Sequence, residues 1–148
     1  MSTRTQKREV YKHVTHVGRY VVEDATGMVW QDKDGNVELT YAGLVGYEQR
    51  AARVVLQDAK SVDGAVLRFA RKALGLRQKD LATLLGYTDT HLSRIESGED
   101  PVPRAIQLAV AELLCRVEVE GEEVLAHLLD MEREDPAELE VRDLRKAI

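Results

Sequence analysis

One cysteine, Cys115, stands among 148 residues, so no internal disulfide can form. Residues 1–63 contain none, and that half brings no thiolate to a structural zinc site. Cys115 follows Leu113 and Leu114 on a helical pattern and reads as a small core residue rather than a reactive thiol. Long apolar runs are also missing. Nothing approaches the ~20 residues of a membrane span, and no signal-peptide pattern opens the sequence, which sets the expectation of a cytoplasmic protein. Internal repeats and low-complexity tracts are absent as well. His13, His16 and His127 come without a nucleophile or base spaced to work beside them, so no catalysis and no cofactor are expected.

Charge is present in quantity but unevenly placed. The net charge is −5. Residues 1–63 carry nine basic and nine acidic side chains, residues 64–117 eight and six, and residues 118–148 four and eleven. The middle segment is therefore mildly cationic and the tail strongly acidic, with all of the tail's excess in residues 118–135. A +2 segment suits a polyanion best as two copies adding their half-sites together.

The most informative stretch runs from Phe69 to Gly98. Asp63 can cap a helix whose apolar positions Val66, Leu67, Ala70 and Leu74 recur at helical spacing. Gly75 ends it and Leu76 turns inward. A second helix, 78–85, buries Leu81, Leu84 and Leu85, and Ala82 leaves room for a following helix to cross closely. Gly86 sits where the chain must turn with positive φ. Thr88 caps a third helix, 89–97, anchored by Leu92 and Ile95 and stopped by Gly98 and Pro101. That spacing leaves Asp89, Thr90, His91, Ser93 and Arg94 facing outward. A short polar helix held this way fits the major groove of DNA. Arg94 can pair bidentately with guanine, and hydroxyls suit phosphates, whereas Asp89 repels phosphate and prefers a cytosine amino group or water. Arg77 stands where a Ser or Thr would cap the second helix, a loss of about 0.5–2 kcal/mol that adds a cation. A fourth amphipathic helix follows on Ile106, Ala109, Val110 and Leu113.

The pattern Gly75-Leu76-x-Gln78-x-x-Leu81-Ala82-x-x-Leu85-Gly86, followed by Leu92-Ser93-Arg94-Ile95-Glu96-x-Gly98, resembles the Cro/phage-repressor (Xre) family of helix-turn-helix domains over residues 64–117. The resemblance implies that Thr90, His91 and Arg94 read base edges and that Gln78, Lys79, Thr88 and Ser93 meet the DNA backbone. It also implies that Glu96 ties the recognition helix to a first-helix arginine, here Arg71.

Segments 9–17, 19–23, 28–31 and 37–40 read as short strands, from their β-branched and aromatic content between Gly and Asp residues. Residues 41–60 then turn helical, with Leu44, Tyr47, Ala51 and Val54/Val55 on one face. A small β layer, a helix and an Xre-like domain in that order resemble the MqsA-type antitoxins. That family's four zinc cysteines are missing here, so a metal-free version is implied. The stretch 32–36 opens like a calcium loop, but Val37 and Gly43 occupy the positions that need glycine and glutamate, and a hairpin turn is the better reading. His13 and His16, three apart on a strand, face opposite sides and make no chelating pair.

These patterns predict an α+β chain. A small N-terminal antiparallel β layer plus helix (1–62) precedes an all-α helix-turn-helix domain (63–117) and an acidic helical C-terminal extension (118–148), which shields the cationic segment or binds a partner. The expected function is a sequence-specific DNA-binding transcriptional regulator: a repressor acting as a homodimer on double-stranded DNA, with a toxin as protein partner if the antitoxin likeness holds. The alternative is a protein-interaction module whose helix-turn-helix is vestigial.

Overall fold

The computed structural model describes residues 9–10, 13–24, 30–31, 34, 37–38 and 41–131. The chain is α+β. Strands β2 (His13–Val17) and β3 (Tyr20–Asp24) form an antiparallel hairpin, with pairing from His13↔Asp24 to Val17↔Tyr20. Strands β1 (Glu9–Val10), β4 (Trp30–Gln31) and β5 (Val37–Glu38) form a second antiparallel sheet in the order β1-β4-β5. The single strand expected over 9–17 is thus split, because its two ends pair with different partners. Apart from Asp34, the turn expected over 32–36 lies outside the described residues, as does the tail beyond Met131.

Six helices follow among the described residues: α1 (Tyr41–Asp58), α2 (Gly64–Ala73), α3 (Gln78–Leu85), α4 (Asp89–Ser97), α5 (Arg104–Glu120) and α6 (Glu123–Met131). One buried cluster runs through the hairpin and all six, from Val17 to Leu125. The face that α1 buries is rotated from the expected one. Tyr47, Ala51, Ala52, Val55 and Leu56 are buried, while Leu44 and Val54 are exposed, because α1 packs on both α2 and α5. Likewise α5 turns Ile106, Val110, Leu114 and Val117 inward and leaves Ala109 and Leu113 only half-buried.

Polar groups inside this core have defined tasks. The last carbonyls of a helix lack intrahelical donors, and α5 supplies them for α1. Gln107, 1% exposed, donates from Nε2 to Leu56 O at 2.9 Å and Ala59 O at 2.8 Å. Arg104 Nη1 donates to the carbonyls of Ala59 and Lys60 at 3.2 and 2.9 Å. Gln49 of α1 does the same for α2 through Ala73 O at 3.0 Å. A platform of α1, α2 and α5 therefore stands behind α3 and α4. No described helix is long and apolar enough to cross a membrane.

Candidate nucleic-acid interface

The second and third helices of the expected motif have the predicted bounds, because each end has a local cause. Gly86, with φ 72°, lets the N–H of Tyr87 reach Ala82 O at 2.9 Å and closes α3. Two residues later the Thr88 hydroxyl accepts the His91 N–H at 3.1 Å and opens α4. Leu92 and Ile95 are fully buried, each worth about 1.5–3 kcal/mol of burial, and they fix which side of α4 faces out.

Two contacts set how α4 sits on α2. Arg71 Nε donates to both Glu96 carboxylate oxygens at 2.9 and 3.2 Å, its Nη2 adds a bond at 3.0 Å, and its Nη1 donates to Leu76 O at 3.0 Å. The pair is nearly sealed from solvent, with side chains 12% and 4% exposed, so one guanidinium joins α2, the α2–α3 turn and α4. At the N-terminus of α2, a Cβ on Gly64 would lie 2.1 Å from Ile95 O and 2.6 Å from Glu96 O. Only glycine permits that approach.

On the outer side, helical spacing puts Asp89, Thr90, Ser93, Arg94 and Ser97 on one arc of α4, all exposed. His91 lies past the edge of that arc with its ring edge-on to Tyr87, centroids 4.5 Å apart at 88°. Thr88 already accepts a bond as the cap, which leaves its hydroxyl proton free to donate to a phosphate oxygen. Lys79 is exposed and Gln78 half-buried at the start of α3. Arg94 is not idle: its Nε lies 3.3 Å from Asp100 Oδ2 and 3.5 Å from Glu99 Oε2.

Sequence reasoning missed some of the surroundings. A polar notch of about 320 Å3 opens between α2, α3 and α4, lined by Arg68, Gln78, Ser93 and Ser97 beside the Arg71–Glu96 pair. Arg68 and Ser97 were legible only as outward positions three residues from Arg71 and four from Ser93. At the start of α3, Arg77 makes no side-chain cap, but Asp80 repairs the end. The Arg77 guanidinium, bonded at 3.0 and 3.2 Å, holds the Asp80 carboxyl below its usual value against opposing desolvation, and the Arg77 backbone N–H adds to the shift. His13 and His16 share β2, His16 is exposed, and no group of metal-binding side chains occurs among the described residues.

Residues 64–128, from α2 into α6, match the Helix-turn-helix domain family. This segment is similar to helix-turn-helix domains, a class that docks its second motif helix into the major groove of DNA. No curated protein and no solved structure matches the chain.

Proposed function

We propose that this protein is a sequence-specific DNA-binding transcriptional regulator that acts as a dimeric repressor, with α4 entering the major groove. The observation that carries the reading is the exposed polar arc of α4, held at a fixed angle by the Arg71–Glu96 pair inside a helix-turn-helix domain. In this reading Thr90, His91 and Arg94 meet base edges. Gln78, Lys79, Thr88 and Ser93 meet the backbone, joined by Arg68 and Ser97 from the notch. Asp89 accepts from a cytosine amino group.

Selection from a pool of random duplexes tests it. The expected result is one enriched inverted repeat. Arg94→Ala should then cost about 1–3 kcal/mol per half-site and relax one base position. Lys79→Ala should weaken all sequences alike. A pool that yields no preferred sequence overturns the reading and favours a protein-interaction module. The order of β layer, helix and helix-turn-helix also supports an antitoxin role, with a toxin as protein partner. A neighbouring small reading frame whose product co-purifies with this chain would support that role, and its absence would remove it.

A further inference from the structure

We infer that Glu99 and Asp100 set the specificity of α4 by holding Arg94 in position for a base and against phosphate. The inference rests on the DNA-binding reading above and goes beyond it, because neither residue belongs to the reading face. The geometry is built rather than incidental. Gly98, with φ 88°, turns the chain back on itself, and the Asp100 N–H bonds Arg94 O at 3.2 Å. The Ser97 hydroxyl donates to the same carbonyl at 3.0 Å. Val102, packed against the core, anchors the far side of the loop between Pro101 and Pro103. The backbone of Asp100 is thereby tied to the end of α4, and Glu99 is carried on the same turn.

Each carboxylate approaches Arg94 Nε. A bidentate pairing with guanine needs two N–H groups, and the two terminal nitrogens of the guanidinium carry four, so such a pairing does not require the Nε contacts to break. The guanine N7 and O6 atoms carry only partial negative charge and feel less repulsion from Glu99 and Asp100 than a charged group does. A phosphate carries a full negative charge and is repelled more strongly. Two acids beside one arginine make the spot net negative, so Arg94 gives up the indiscriminate contact and keeps the sequence-reading one. Arginines that are free to swing contribute to random binding, which competes with any operator.

The test is a double-mutant cycle on the full chain. Glu99→Gln/Asp100→Asn is combined with Arg94→Ala, and each variant is titrated with the selected duplex and with a random duplex over a range of salt. Both loop residues are at least partly exposed, and thermal unfolding of each variant checks that the fold is unchanged. With Arg94 present, removing the two charges should raise random-duplex affinity about 3- to 10-fold at low salt. The ratio of specific to random binding should fall, and the gain should shrink as salt rises. With Ala at 94, the same two substitutions should leave that ratio unchanged. A ratio that does not fall, or that falls equally in both backgrounds, overturns the inference while leaving the DNA-binding reading in place. A wild-type protein that enriches no sequence removes both, and that outcome is seen before any variant is made.

Discussion

At the start of α3 a residue that is wrong for capping is corrected by one three positions later. Arg77 has no side-chain oxygen to offer, but Asp80, at the position a capping box gives to its acid, takes two bonds from the Arg77 guanidinium. Both residues are plain in the sequence, but a cap position read by its own side chain alone does not reveal their pairing. Its pH signature has a definite sign. Asp80 has a folded pKa below its unfolded one, so its stabilisation is fully present above the ordinary carboxylate value, about 4, and is lost as pH falls through the lower folded value. Urea unfolding of wild type and Asp80→Asn should therefore differ at neutral pH and converge as the pH drops below about 4. Curves that stay equally apart at acid pH would show that the carboxylate charge is not the cause. The Arg71–Glu96 pair was legible only through the resemblance, since nothing in a 25-residue separation points one side chain at the other.

Among the elements, α2, α3 and α4 were readable because their ends are written locally, in Asp63, Gly86, Thr88 and Gly98. The buried faces of α1 and α5 were not. Periodicity gives a stripe but not the number of neighbours. A helix wedged among several elements buries a wider and rotated arc, which is why Ala52 and Leu56 are inside while Val54 is out. Gln107 marks the same limit: as a polar residue it drops out of an apolar stripe, yet it is among the most buried side chains because it serves two carbonyls of the α1 end. Replacing it with Met keeps the volume and removes both donors. The expected cost is about 1–3 kcal/mol in urea unfolding, the penalty for leaving the Leu56 carbonyl unpaired while Ala59 O keeps Arg104. Amide hydrogen exchange should also quicken at the last turn of α1 while the amides of α4 keep their protection. Equal acceleration in both helices would mean that the platform and the reading unit open as one.

For the whole molecule, the question that the proposed function raises is how a chain of net charge −5 would bind a polyanion. Part of the acidic excess is spent inside the fold. Glu118 pairs with Arg50 and Arg53 of α1, outside the cationic segment, whereas Glu120 pairs with Arg116 within it and lowers that segment's surplus. The cations left facing out near α4 are few, and Arg94 already has acidic neighbours. One copy of such a surface neutralises few phosphates, and binding strength at a given salt falls with that number. Two copies on a two-fold axis double it and place their α4 helices one DNA turn apart, about 34–36 Å. The salt dependence distinguishes the cases without reference to size. Each phosphate contact contributes about −0.9 to the slope of log K against log salt. If Lys79 makes one such contact, Lys79→Ala should flatten the slope by about 0.9 when one copy binds and by about 1.8 when two do. A change near the larger value, with sedimentation giving two chains per duplex, is the expected result. A change near the smaller value with one chain on the selected duplex would leave a monomeric binder, and the inverted repeat would then have no structural cause.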